Sequence, residues 1–188
     1  MHLGAPFPDI AVTSQHGPLH LPGDIGSCWS VILFHPEAFT PVCSTELAAI
    51  ARWRHDLKPN TRFFSVTPDT PARVLEWVRH ISDLTGTEVT HACIGDTDRA
   101  LSRIFFPDTG RSGLKRPRGL FVFDPRQVLV SKAILPEEVG FSTTELRRLI
   151  IALSLARLGQ AVVPADWRLG RALLDRAQAS VPARVDAP

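Results

Sequence analysis

Trp29-Ser30-Val31-Ile32-Leu33-Phe34-His35-Pro36-Glu37-Ala38-Phe39-Thr40-Pro41-Val42-Cys43-Ser44-Thr45-Glu46-Leu47 reads as a strand, a turn and the start of a helix. Residues 29–35 form a continuous apolar run, as expected of a strand buried on both faces. From Thr40 the pattern changes period, and Leu47, Ile50 and Leu57 fall on one helix face. Cys43 precedes Leu47 by one turn, so it is expected in the first turn of that helix. Unpaired backbone N–H groups and the positive end of the helix dipole favour negative charge there. A thiol so placed ionises more readily, and the thiolate is the nucleophile.

Working outward, residues 3–27 are rich in Gly and Pro with short apolar alternation, and predict a strand or hairpin at the edge of the fold. Arg62 to Thr67 predicts a second buried strand. Thr70 as N-cap and Pro71 at the first helical position open a helix running to about Thr85. Val89 to Ile94 predicts a short strand ending at Gly95-Asp96, and a helix follows from about Asp98 to Ile104. Residues 106–117 read as a solvated loop. Strands at Gly119–Phe123 and Val128–Leu135 are joined by the turn Asp124-Pro125-Arg126-Gln127. Ser142, with Glu145 at the capping-box position, starts a last helix reaching about Leu158.

This order, strands alternating with helices and then a hairpin and a final helix, predicts an α/β chain with a mixed central sheet flanked by helices. The layout resembles a thioredoxin-like fold. The domain is expected over residues 1–158. Residues 159–188 are expected to form a C-terminal arm that holds Trp167, a short helix through Leu173 and Leu174, and a frayed end from Pro182. An arm of this length is too short to be a domain and would pack on its own core or on a second subunit.

The bulk composition excludes several classes. A chain of 188 residues with 44% hydrophobic and 21% charged residues is a globular one able to bury a core without disulfides. A formal net charge of +2 with acids and bases interspersed does not suggest nucleic acid. No apolar run approaches the roughly 20 residues that span a bilayer, and Met1-His2-Leu3-Gly4 lacks the features of a secretory signal, so a cytoplasmic location is the default. Three cysteines, Cys28, Cys43 and Cys93, do not make a disulfide framework, and no C-x-x-C is present. The histidines are scattered, with His16 and His20 in a loop-like stretch, and no Cys/His spacing suggests zinc. No metal and no cofactor are expected.

The residues around Cys43 suit cleavage of a weak O–O bond. The Thr40 hydroxyl, three residues earlier, can donate to a thiolate and accept from a peroxide O–H. Pro36 restricts the turn and has no N–H to compete for hydrogen bonds. An arginine from elsewhere would favour both the thiolate and the departing anion. Arg118 is the candidate, because it opens a buried strand.

Pro36-x-x-x-Thr40-x-x-Cys43 resembles the active-site motif of the peroxiredoxins. The longer stretch from Phe34 to Leu47 is similar to the one-cysteine, peroxiredoxin-6-type subfamily. Arg118-Gly119-Leu120-Phe121-Val122-Phe123 resembles that family's arginine strand. Leu135-Pro136 through Gly140, Leu146-Arg147 and Val163-Pro164-Ala165-Asp166-Trp167 resemble its later segments. The resemblance implies that Cys43 is the peroxidatic cysteine, supported by Pro36, Thr40 and Arg118, with His35 beside the pocket and Glu46 buttressing an arginine. It implies a thiol-dependent peroxidase that reduces hydrogen peroxide and small organic hydroperoxides through a sulfenic acid, the first rung of thiol oxidation.

Departures from the pattern refine this. No cysteine stands in a Val-Cys-Pro context, so an external thiol reductant is expected. Phe141 stands where some relatives carry a second arginine. Gly26-Ser27-Cys28-Trp29-Ser30 lacks the serine of the lipase-like motif of vertebrate relatives, so no phospholipase activity is expected. A homodimer is expected, with the arm across its interface. A peroxide-sensing regulatory protein that passes oxidation from Cys43 to a partner is the alternative, and a disulfide exchanger is disfavoured by the missing C-x-x-C.

Overall fold

A computed structural model describes residues 1–53, 60–107, 118–159 and 161–176. The apolar run at residue 29 forms β3 (Trp29–Phe34), in which every residue is buried. It sits near the middle of a seven-stranded sheet of order β2-β1-β5-β4-β3-β6-β7. The other strands of this sheet are β1 (Ile10–Ser14), β2 (Gly17–Leu21), β4 (Thr61–Thr67), β5 (Ala92–Gly95), β6 (Arg118–Phe123) and β7 (Leu129–Leu135). The predicted hairpin at the edge is β1–β2, paired antiparallel from Ile10↔Leu21 to Ser14↔Gly17.

β3 runs parallel to β4 and antiparallel to β6, so the sheet is mixed. Helices α1 (Pro41–Trp53) and α2 (Pro71–Thr85) follow β3 and β4. Each connects two parallel strands, which requires a crossover rather than a tight turn. Thr70 caps α2 by accepting from the Arg73 N–H at 3.3 Å, and Gly86 closes it with φ 64°. α1 is described as far as Trp53, and Leu57, expected on its inner face, lies outside the described residues. So do most of the expected loop 106–117, including Arg111, Lys115 and Arg116, and the C-terminal end beyond residue 176.

Two apolar clusters cover the sheet. One holds Phe34, Phe64, Phe105, Phe106, Phe121 and Phe123, with ring centroids such as Phe34–Phe105 only 4.9 Å apart. The other joins Cys43, Leu47, Trp77, Val78, Ile81 and Cys93. Gly119 is glycine for a packing reason: a Cβ there would lie 2.3 Å from Phe106 Cζ. The short helix α3 (Ala100–Phe105) starts on Asp96, whose carboxylate accepts from the Leu101 N–H at 2.9 Å and the Ser102 N–H at 2.8 Å. The strand before it is shorter than the sequence suggests, beginning at Ala92 rather than Val89.

The chain divides into two compact units, Met1–Thr143 and Thr144–Pro188. The last helix, α4 (Thr143–Arg157), therefore groups with the C-terminal segment. There, β8 (Ala161–Val162) pairs antiparallel with β9 (Leu174–Asp175). The short helix expected through Leu173 and Leu174 is thus corrected to extended chain, in which Leu174 satisfies its backbone against Val162. Trp167 is 4% exposed within the single chain, and its indole N–H donates to the Arg171 carbonyl at 2.9 Å. No described helix is long and apolar enough to cross a membrane.

Candidate active site

The site lies where β3 gives way to α1. Pro36 and Ala38 are buried in the connecting turn, and Phe39 adopts φ 63°. The Asp69 carboxylate holds this turn by accepting the Ala38 N–H at 2.8 Å. Asp69 is itself gripped by Arg73 Nε at 2.9 Å, and the Arg73 guanidinium lies 5.2 Å over the Phe39 ring. Thr40 precedes the helix, its carbonyl accepting the Ser44 N–H at 2.9 Å. Cys43 is the third residue of α1 and is 0% exposed.

Strand pairing brings the distant arginine here. In the antiparallel register Phe34 faces Gly119, so Arg118 at the head of β6 stands level with His35. Both terminal nitrogens of Arg118 lie 3.5 Å from the Cys43 sulfur. One of them also donates to the Glu46 carboxylate, and the other donates to the Glu137 carbonyl at 3.0 Å. Glu46 further accepts from the Phe141 N–H at 2.7 Å and faces His35 Nδ1 at 3.2 Å. His35, Glu46 and Arg118 are all buried. Buried charges persist only when paired and hydrogen-bonded, and each of these is. Sequence reasoning put Glu46 behind an arginine, and the structure sets it against Arg118 and His35 together.

These neighbours control ionisation. Burial pushes the Cys43 thiol up, but the hydrogen bond and charge of His35, the Thr40 hydroxyl and the Arg118 charge outweigh it and bring the thiol down to about 7. For His35, burial acts to lower its pKa, yet hydrogen bonds to Cys43 and Glu46 and their charges hold it above the ordinary imidazole range. The other thiols differ. Burial pushes Cys93 up to about 12. Cys28 is buried and receives the Asn60 side-chain amide at 3.0 Å. All three cysteines are free.

His35, Cys43 and Glu46 place three potential ligand atoms within 4.8 Å of one another. The Arg118 guanidinium already occupies this cluster, bonded to both Cys43 and Glu46. Its fixed positive charge opposes a cation, and the donor set does not fit a metal. His16 and His20 stand apart from the site: His16 Nε2 faces the Thr90 carbonyl at 3.3 Å, and His20 Nε2 pairs with Asp9 at 2.8 Å.

Three neighbours escaped sequence reasoning. Trp77 on α2 donates its indole N–H to Ser44 Oγ at 3.0 Å and sets its ring edge-on to His35, 5.6 Å away. Ser65 Oγ lies 3.1 Å from His35 Nε2, and His91 Nε2 lies 3.0 Å from Ser65 Oγ. The only sequence signal for Ser65 was a polar residue interrupting Phe63-Phe64 and Val66 in a buried strand.

Residues 3–132 match the family model described as AhpC/TSA family. The chain belongs to the AhpC/TSA family. Among curated relatives of this AhpC/TSA chain, a peroxiredoxin from Treponema denticola is 31% identical over 93% of this chain and 84% of its own length. A peroxiredoxin from Hyperthermus butylicus is 31% identical over 88% of this chain and 72% of its own. Among solved structures, a yeast mitochondrial 1-Cys peroxiredoxin superposes with TM-score 0.85 at 25% identity, covering 92% of this chain and 85% of that one. A variant of peroxiredoxin 6 from Arenicola marina gives 0.82 at 28% identity, covering 91% and 81%. The peroxiredoxin family, a one-cysteine-type relationship and the thioredoxin-like α/β fold expected from the sequence thus hold.

Proposed function

We propose that this chain is a thiol-dependent peroxidase in which Cys43 is the reacting group. The observation that carries the reading is the convergence of His35 and the Arg118 fork on one sulfur in the first turn of α1. The Cys43 thiolate attacks one oxygen of a hydroperoxide. An S–O bond forms, the O–O bond breaks, and the alkoxide leaves and takes a proton to become the alcohol. Arg118 lies where negative charge develops and stabilises it. Thr40 orients the peroxide O–H, and Pro36 shields the sulfur without offering a competing N–H. Full burial of the sulfur favours hydrogen peroxide and small organic hydroperoxides.

The product is Cys43 sulfenic acid. One external thiol condenses with it to a mixed disulfide and water, and a second releases Cys43 and a disulfide. An external thiol is favoured because Cys93 is too weak an acid to supply a thiolate and Cys28 packs in the other apolar cluster from Cys43. The solved yeast relative is described as resolving its thiol through glutathione and thioredoxin systems, which supports the same class of reductant.

Purified protein with hydrogen peroxide and dithiothreitol is expected to consume peroxide steadily. The rate should rise with pH through about 7, where Cys43 ionises. Below that midpoint it should fall about tenfold per unit, as the thiolate fraction does. Absence of consumption would sink the proposal. A single round of oxidation ending with a protein captured on Cys43 would favour the sensor role instead.

We further infer a homodimer whose contact involves the arm after residue 158. The support is apolar exposure: Leu158 is 77% and Leu169 46% exposed. Trp167, expected at such a contact, is instead buried within its own chain. Sedimentation should give twice the monomer mass, and Leu158→Glu should shift it towards monomer; a monomeric wild type would reject the dimer.

A further inference from the structure

Phe39 holds a backbone conformation that its own chemistry does not favour. Its φ of 63° lies in the left-handed region, which residues other than glycine rarely adopt because the Cβ crowds the backbone. Such a residue persists only where its surroundings over-determine it. Burial is not what holds it, because Phe39 is 40% exposed. The hold comes from α2 and the turn before it. Asp69 Oδ2 accepts the Ala38 N–H at 2.8 Å, fixing the backbone one residue ahead of Phe39. Arg73 donates from Nε to Asp69 Oδ1 at 2.9 Å and lays its guanidinium 5.2 Å over the Phe39 ring. His80, two turns further along α2, meets the same ring at 5.8 Å between centroids. One ion pair therefore fixes both the backbone and the side chain of the turn.

Asp69 is itself firmly seated. Its N–H donates to Thr67 Oγ1 at 3.3 Å, and its carbonyl accepts from the Thr97 hydroxyl at 3.2 Å. Gly95, at the end of β5, packs so closely that a Cβ there would lie 2.7 Å from the Asp69 carbonyl oxygen. The Asp69 side chain is 8% exposed, so water competes little for its bond to Ala38, a charge-assisted one of the stronger kind. On the other side the Thr40 hydroxyl donates to the Glu37 carbonyl at 3.1 Å and closes the turn on itself. Thr40 and Cys43 follow Phe39 by one and four residues, so the φ of Phe39 sets the direction in which α1 leaves the turn.

We propose that Asp69 and Arg73 are positioning residues for the peroxide reaction, locking the turn over residues 37–40 so that the Thr40 hydroxyl and the Cys43 sulfur stay aligned on one peroxide. The inference rests on Cys43 as the reacting thiol. The acidity of that thiol has a separate origin. His35 and Arg118 are held by Glu46, Ser65 and the Glu137 carbonyl, not by this pair. Loosening the turn thus misplaces the reacting atoms without discharging the thiolate, and a displacement of about 1 Å costs a reaction up to about 100-fold.

The test sets the peroxide reaction of the full chain against alkylation of its cysteines by iodoacetamide. Both are read at a pH of about 9, above the ordinary thiol range, so that Cys43 is ionised in every variant. Asp69→Ala is expected to react with hydrogen peroxide about tenfold more slowly, yet to be alkylated at Cys43 about tenfold faster, because the turn opens and the enclosed sulfur is reached. Tenfold is the scale on which one charge-assisted hydrogen bond moves an equilibrium. Alkylation of Cys28 and Cys93, mapped by mass spectrometry, should stay at the wild-type rate, and so should the Cys43 titration midpoint stay in place. Asp69→Asn keeps an oxygen for the Ala38 N–H and should restore most of the peroxide rate. Arg73→Ala should move both rates in the same directions as Asp69→Ala, by less. An unchanged peroxide rate or unchanged Cys43 alkylation in Asp69→Ala, faster alkylation of all three cysteines together, or no recovery in Asp69→Asn would each overturn the proposal. If Asp69→Ala does not fold, Arg73→Ala decides by the same two rates. A wild type that consumes no peroxide would reject the peroxidase reading, yet the alkylation would still decide whether this pair locks the turn.

Discussion

Cys43→Ser is expected to abolish peroxide consumption while leaving the chain folded. Serine differs by one atom and can accept the Arg118 fork that the sulfur now accepts at 3.5 Å. Its hydroxyl, unlike a thiol brought down to about 7, does not ionise near neutral pH and is a poor nucleophile towards a peroxide oxygen. The loss should exceed about 1000-fold, the scale on which removing the nucleophile of a covalent enzyme is felt. The check is peroxide consumption with dithiothreitol, together with circular dichroism and the thermal midpoint. A variant that retains activity would move the chemistry to Cys28 or Cys93.

The second large effect is expected at Arg118→Leu, which touches stability and rate together. Arg118 and Glu46 are both buried and bonded to each other. Removing Arg118 leaves the buried Glu46 with His35 as its charged partner, and breaking one side of a buried pair costs about 3–5 kcal/mol. The same change removes the positive charge from beside Cys43, so the thiol should titrate higher and the peroxide reaction should slow by about 100-fold or more. Glu46→Gln in the same chain separates the two effects. A glutamine oxygen can still accept the Phe141 N–H, and the buried carboxylate that lost its arginine is gone. The double variant should regain much of the stability in urea denaturation but none of the rate. Recovery of both would mean that Arg118 acts only as a structural partner of Glu46.

Much of this site was legible because its signals are local. The run from Trp29 to Phe34 announces a central strand, and Thr70-Pro71 and Gly86 mark both ends of α2. The spacing of Pro36, Thr40 and Cys43 needs only one turn and one helix start to acquire meaning. Arg118 was legible as a candidate because it heads a buried strand, but its destination depends on antiparallel pairing with β3, which no local pattern states. Ser65 and His91 carry no local signal that points to Cys43. Their meaning comes from the diagonal across β3, β4 and β5, a property of register rather than of either segment. Leu174 was misjudged for a related reason: a two-residue strand is defined by its partner, Val162, and leaves no period to read.

The groups that tune the thiol are far apart along the chain. Arg118 lies 75 residues beyond Cys43, and Ser65 lies 30 beyond His35. Contacts of such separation form only after long loops have closed. A chain still emerging from the ribosome, or one that has failed to pair β6 with β3, therefore carries at Cys43 a thiol without its arginine, of ordinary acidity and ordinary reactivity. On the proposed function, the thiol acquires its reactivity only when β6 pairs with β3, so the order of strand pairing also guards the cysteine from oxidation during synthesis.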